Sequence, residues 1–156
     1  MKNLNYLLVP VFFFLGALSI SAQSTVYFFV PTTGNNECAL KMNGDSIFQL
    51  RGPYKKTLNN SVFKVPYVIY DDAYKKCVFK EEGKLLFVAD YRYQNPSTLE
   101  KQQVLSEIQV NLSEGSVHYI RLSPKGMYNM QFKEITEKDA QKYFKKSSEL
   151  PDYIQE

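Results

Sequence analysis

The sequence predicts an all-β fold, an antiparallel sandwich or barrel with one short C-terminal α-helix, and three observations carry that prediction. Short segments with period-2 apolar alternation recur along the chain, separated by clusters of Gly, Pro, Asn and Asp. Aromatic residues make up 15% of the chain, as 12 Tyr and 11 Phe without Trp, a bias that suits the pleated, half-buried surface of a strand. No strand-helix-strand alternation is present, and the clear helix start falls late, at Thr136. A parallel α/β architecture is excluded on the same grounds.

With 156 residues, 44% hydrophobic and 22% charged, the chain has the size and composition of one globular domain rather than of a disordered segment. Lys2 precedes an apolar run, Leu7 to Ile20, that ends in the small residues Ser21 and Ala22 before polar Gln23. That order is a secretory signal peptide, so residues 1–22 are expected to be removed after Ala22, or after Ser21, leaving 23–156 as a single β-sandwich domain. A retained anchor is the competing reading. The run falls short of the ~20 residues a spanning helix needs, and Pro10 and Gly16 interrupt it, so no stable membrane span is expected after cleavage. No Cys lies near the cleavage site, which argues against a lipoprotein. Without Lys2 the net charge drops from +3 to +2, too little to imply a nucleic-acid or anionic-membrane partner.

Export would place Cys38 and Cys77 in an oxidising compartment, where two readings stay open. A disulfide would close a loop of about 40 residues and contribute on the order of 3–4 kcal/mol through the unfolded state. Alternatively, each is a small buried residue of a strand. Neither has a CxxC neighbour or a nearby His, so zinc and thiol-redox chemistry are not expected.

In chain order, Thr25 to Val30 is apolar on both alternating faces, as a strand covered from two sides would be, and Pro31 ends it because proline cannot donate to a ladder. Glu37 to Met42 and Asp45 to Leu50 flank Asn43-Gly44, whose tolerance of positive φ predicts a type I′ hairpin. Arg51-Gly52-Pro53 breaks the pattern, and Ser61 to Val65 and Tyr67 to Tyr70 are expected as short strand pieces around Pro66. Cys77 to Lys80 and Leu85 to Tyr93 flank Glu81-Glu82-Gly83-Lys84, which predicts a second hairpin. Gln94 to Gln103 is polar and connects to the best-patterned stretch, Val104 to Leu122. There Ile108, Val110 and Leu112 alternate with Glu107, Gln109 and Asn111, and a turn at Ser113-Glu114-Gly115-Ser116 leads into Val117 to Leu122, so a further hairpin is expected. Ser123 to Gly126 is a turn by composition, and Met127 to Ile135 a final strand with Tyr128, Met130 and Phe132 on one face. Thr136 caps a helix over about residues 137–146, in which Glu137 and Asp139 suit the dipole. Ala140, Tyr143, Phe144 and Ser147 form its apolar face, expected to pack on the sheet's edge or end. The tail, Leu150 to Ile154, is expected to dock back on the domain.

Thr-Val-Tyr-Phe at residues 25–28, a Cys-bearing strand, Asn43-Gly44 at the first hairpin and the segment Glu114 to Leu122 (EGSVHYIRL) together resemble a bacterial family. It is the one catalogued as domain of unknown function 2846, and the resemblance covers roughly residues 25–135. The Pro-Gly-x-His turn of many such proteins is reduced here to Pro66 followed by Tyr67. The resemblance implies a small immunoglobulin-like or PEGA-like β-sandwich exported to the bacterial envelope, and it brings no established activity. The ending SISAQS at residues 19–24 is similar to signal peptides of Bacteroidetes. Asp45-Ser46-Ile47 matches the short motif that such bacteria O-glycosylate, which makes Ser46 a candidate for modification, with an ordinary exposed hairpin Ser as the alternative.

Residues suited to chemistry are sparse. The single histidine, His118, shares a strand face with Ile120 and Leu122 and is expected as a packed or edge residue rather than a catalytic base. There is no GxSxG, HExxH, glycine-rich phosphate loop or cofactor fingerprint. Asp71 and Asp72 point to opposite faces of a strand and lack a spaced third ligand, so a solvated turn is expected there rather than a metal. Asp90, Glu107 and Glu134 would serve as an acid/base pair only if the fold brings them together. Tyr54-Lys55-Lys56, Tyr74-Lys75-Lys76 and Phe144-Lys145-Lys146 interleave aromatics with cations. Such a pattern can bind single-stranded nucleic acid or anionic polysaccharide, and more often marks solvated strand ends. The expectation is a non-enzymatic, exported interaction module of the cell envelope, periplasmic or extracellular, with no cofactor, using exposed sheet edges or loops against another envelope protein. A carbohydrate-binding module using exposed Tyr is the alternative, weakened by the absence of Trp, and a carboxylate-based hydrolase is the third reading.

Overall fold

The computed structural model describes residues 23–31, 37–59, 66–94, 100–125 and 129–156. The segment expected as a signal peptide, the loop expected from Thr32 to Asn36, the strand expected at Ser61 to Val65, and Met127 with Tyr128 lie outside the described residues. The described strands are β1 (Ser24–Val30), β2 (Glu37–Met42), β3 (Asp45–Gln49), β4 (Tyr54–Asn59), β5 (Pro66–Tyr70) and β6 (Ala73–Phe79). They continue with β7 (Gly83–Gln94), β8 (Lys101–Leu112), β9 (Val117–Lys125) and β10 (Asn129–Glu134), and a helix α1 (Glu137–Phe144) precedes β11 (Ser148–Ile154). As the alternation predicts, they build an all-β sandwich. A five-stranded sheet in the order β10-β9-β1-β6-β11 faces a four-stranded sheet in the order β3-β2-β7-β8, and β4 and β5 form a separate two-stranded ribbon.

Alternation decides what each strand buries. Val26, Phe28 and Val30 of β1 point between the sheets and join Leu40, Cys77, Phe79, Phe87, Ile120 and Leu122 in one core. Phe28 and Phe87 meet edge to face at 5.2 Å, so the sheets interlock through rings. Tyr27 and Phe29, on the other face of β1, lie under α1: Phe144 is 5.1 Å from Tyr27, 5.0 Å from Phe29 and 4.8 Å from Tyr74. β1 is thus covered on both sides, the environment in which its parallel pairing with β9 is stable. The helix crosses the middle of the five-stranded sheet's outward face, not its edge or end, because the aromatic residues it buries come from β1, β6 and β9. Thr136 caps it as expected, its Oγ1 accepting from the Asp139 N–H at 3.2 Å.

Asn43 (φ 51°) and Gly44 (φ 97°) make the predicted hairpin turn between β2 and β3. The other two expected hairpins are corrected by the pairing. β8 pairs along its length with β7, from Gly83 opposite Leu112 to Gln94 opposite Lys101, whereas β9 pairs with β1 and β10. Ser113 to Ser116 therefore carries the chain from one sheet to the other. That arch is held by the Ser116 N–H donating to Ser113 O at 2.8 Å and the Thr25 N–H donating to Ser116 O at 2.8 Å. Gly83 likewise follows a crossing from β6 in the five-stranded sheet to β7 in the four-stranded one. The physical reason is that each arm buries alternate residues whether its partner lies beside it or across the core, so alternation cannot tell a hairpin from an arch. β7 and β8 are instead the paired antiparallel arms, and residues 95–99 between them lie outside the described residues.

Three further segments differ from expectation. β4 is a strand despite its charge, Ser123 to Lys125 continues β9 rather than turning, and the last strand is β11, not the segment ending at Ile135. The tail docks back as expected, by parallel pairing with β6. Gly52 is required at the base of the ribbon, where a Cβ would sit 1.8 Å from Asp71 O. Among the described residues no helix is long and apolar enough to cross a membrane.

Candidate functional site

The outward face of the four-stranded sheet is open, with Leu86, Arg92, Gln103, Leu105, Glu107 and Gln109 all exposed. Alternation sets Glu37, Ala39 and Lys41 of β2, and Val88, Asp90 and Arg92 of β7, on this face. Register places Glu37 opposite Arg92 and Ala39 opposite Asp90. Asp90 points outward yet is only 1% exposed. Its neighbours roof it: Lys41 Nζ is 2.8 Å from Oδ2, Arg92 reaches Oδ1 through Nε at 3.3 Å and Oδ2 through Nη2 at 3.1 Å, and Gln103 donates to Oδ1 at 2.6 Å. Burial pushes the Asp90 carboxyl up, but the hydrogen bonds from Lys41, Gln103 and Arg92 outweigh it and hold the group at about 2. It therefore stays ionised at neutral pH and fixes both cations.

Ala39 is short, and a depression of about 210 Å³ opens here, lined by Lys41, Asp90 and Arg92 of the cluster and by Glu37, Ala39, Ser46 and Gln49. Ser46, the candidate for modification, is exposed on β3 opposite Lys41 and borders this depression. The chemistry available is hydrogen bonding and charge pairing from rigidly held groups. Asp90 itself has both oxygens engaged, which suits a scaffold rather than a proton donor.

Cys38 and Cys77 point into the core from opposite sheets and are free thiols. Burial, with the Asp90 charge adding to it, pushes Cys38 up to about 12, and burial pushes Cys77 up as well, so both remain protonated. Asp90 and Glu107 share the open face, but Glu134 lies on β10 in the other sheet, so the three carboxylates do not converge. His118 Nδ1 lies 2.8 Å from Glu134 Oε1, and its Nε2 is buried with no hydrogen-bond partner among the described residues. Asp71 pairs with Lys55 at 2.5 Å, and no group of three or more His, Cys, Asp or Glu is placed to hold a metal among the described residues.

Two of the three aromatic–lysine doublets meet through their rings, but those rings are spent on packing rather than presented beside the lysines. Tyr74 and Phe144 pack on each other, Lys75 stacks on Phe48 at 4.8 Å, and Lys76 faces Asp152 at 3.9 Å. The tyrosines are mostly engaged too: Tyr27 stacks on Tyr119 at 5.5 Å, and Tyr91 lies against Tyr93 at 5.8 Å. Tyr54 on the ribbon is 63% exposed, with its hydroxyl 3.3 Å from Thr57 Oγ1. Lys41, Arg92, Gln49 and Gln103 escape sequence reasoning. Strand phase marks Lys41 and Arg92 as outward, but their meeting at Asp90 depends on the β2–β7–β8 register. No family model matches the chain, and neither a curated protein nor a solved structure does.

Proposed function

We propose that the chain is a non-catalytic, exported interaction module of the cell envelope that works through the outward face of its four-stranded sheet, with another envelope protein as partner. The observation that carries this reading is the buried Asp90, which holds Lys41 and Arg92 in place on an otherwise open surface. A buried ion cluster is seldom the most stable way to fill a position, so fixed cations on an open face fit recognition better than stability. Leu86 and Leu105, 37% and 55% exposed, add apolar area beside the charges, a mixture found at non-obligate interfaces. The signal-peptide pattern before Gln23 and the resemblance to an exported family support the location.

Site-specific photocrosslinking tests the reading. With a photoreactive residue at Leu105, envelope fractions are expected to yield one discrete adduct that is missing when the probe sits at Lys138 on α1. No adduct at Leu105, or the same adducts from both positions, would count against it.

A further inference from the structure

We infer that the depression beside Asp90 binds a single uncharged sugar residue, a pyranose ring presented by an envelope glycan or by a glycosylated partner. This rests on the proposed working face and names the chemistry of what docks there. Four features of the depression narrow the ligand class.

Size comes first. A volume of about 210 Å³ accommodates one six-membered sugar ring and falls below the roughly 300 Å³ at which pockets for larger ligands begin. Charge comes second. Lys41 and Arg92 are balanced by Asp90 and Glu37, so a phosphate or carboxylate entering the depression would gain no net attraction and would face Glu37, which stands opposite Arg92. Third, Ala39 is the one apolar residue among those lining it, so apolar area there comes mostly from the stems of polar side chains and forms no platform that would select an acyl chain or an aromatic ring.

Hydrogen-bonding capacity is the fourth feature. Arg92 spends two of its five N–H donors on Asp90, and Lys41 one of its three, leaving three and two. Ser46 and Gln49 can each donate and accept, and Glu37 accepts. Donors and acceptors interleaved over so small an area match vicinal hydroxyls, each of which also donates and accepts. Because Asp90 already fixes Lys41 and Arg92, little side-chain ordering is left for the ligand to impose. An open site of this kind, without an aromatic platform, is expected to bind in the millimolar range as one unit and to gain affinity from repetition.

The test is an amide-shift titration of the ¹⁵N-labelled protein with the methyl pyranosides of glucose, galactose, mannose and N-acetylglucosamine, with glycerol and methyl phosphate as controls. At least one pyranoside is expected to shift the amides of Lys41, Ser46, Gln49 and Arg92 saturably, while both controls leave them in place. Ser46→Ala and Gln49→Ala, at exposed positions outside the Asp90 hydrogen bonds, are each expected to weaken that binding about threefold or more. No saturable shift with any pyranoside, an equal response to glycerol or methyl phosphate, or unchanged affinity in both variants would overturn the sugar site.

The two proposals fail separately. A negative titration alongside specific Leu105 adducts removes the sugar site and leaves the working face, whereas a positive titration without such adducts removes the protein partner and leaves the sugar site. Protease treatment of the envelope fraction before crosslinking separates the sources of the sugar: adducts lost to it carry a glycosylated protein, whereas adducts that persist carry polysaccharide and remove the protein partner.

Discussion

The outward face of the five-stranded sheet is aromatic and covered, whereas that of the four-stranded sheet is ionic and open. On the first, Tyr27, Phe29, Tyr74 and Tyr119 all lie within ring-contact distance of Phe144, and Arg121 stacks on Tyr143 at 4.4 Å. On the second, Asp90 gathers Lys41, Arg92 and Gln103 beneath solvent. The two solutions have different physical consequences. Covering rings removes apolar area from water and is roughly proportional to that area, so it stabilises the fold. Pairing charges at a surface nets little stability, because the desolvation cost offsets much of the attraction, but it fixes direction and chemical character. The covered face thus serves the fold, whereas the fixed charges of the open face suit the recognition role proposed for it.

The largest effect that could break this division is Phe144→Ala. Phe144 is the ring on which the covered face converges, and its loss is expected to cost about 3 kcal/mol, toward the low end for truncated aromatics because the residue is only partly buried. Urea unfolding measures this directly, and a loss below about 1 kcal/mol would show that α1 contributes little to the sandwich. Asp90→Ala comes next, at about 2 kcal/mol near neutral pH. Its sign with pH is the sharper test. Because the fold lowers the Asp90 pKa from 3.8 to about 2, its contribution is present above the unfolded value and disappears as the pH falls through about 2. The gap between the parent and Asp90→Ala should therefore close in acid, while the gap opened by Phe144→Ala should persist. A pH-independent Asp90 effect would mean that packing, not charge, is what the residue supplies.

Thr136→Ala should cost about 1 kcal/mol, since it removes the acceptor of the Asp139 N–H and loosens the first turn of the helix that covers the aromatic face. Amide exchange would locate the effect: faster exchange is expected in α1 and not in β7. Acceleration in both would show that the two outward faces are not energetically separate.

The covered face was more legible in the sequence than the open one. Thr25 to Val30 is apolar in both phases, which requires cover on both sides, and Thr136 with Phe144 supplies a capped helix carrying a ring. These signals are local, so they survive ignorance of topology. The site at Asp90 is not local. Lys41 and Arg92 are far apart in sequence, and only the register of β2 against β7, with Gln103 arriving from β8, brings them to one carboxylate. The same limit produced the misread turn at Ser113 to Ser116. Val110 and Leu112 bury one face and Ile120 and Leu122 another, and the alternation is the same whether the arms pair or face each other across the core. Cys38 and Cys77 show it a third way: spacing permits a bridge, and only the fold shows that they stand as free thiols in facing layers.

The smallest expected effect on stability is also the one that most sharpens the contrast. Leu105 stands opposite Asp90 in the β7–β8 register and is 55% exposed, so Leu105→Arg removes little buried area and should change unfolding by no more than about 0.5 kcal/mol. On a face that serves only to close the sheet, nothing further would follow. On a recognition face, a long cation set beside Lys41 and Arg92 adds like charge and bulk next to the depression, and binding should suffer where folding does not. With the photoreactive residue moved to Gln109, adduct yield is therefore expected to fall about tenfold or more in Leu105→Arg, as it does when a central interface residue is lost. A variant that folds normally and still crosslinks at the parent's level would place the interaction elsewhere, and the exposed ribbon around Tyr54 would be the next surface to probe.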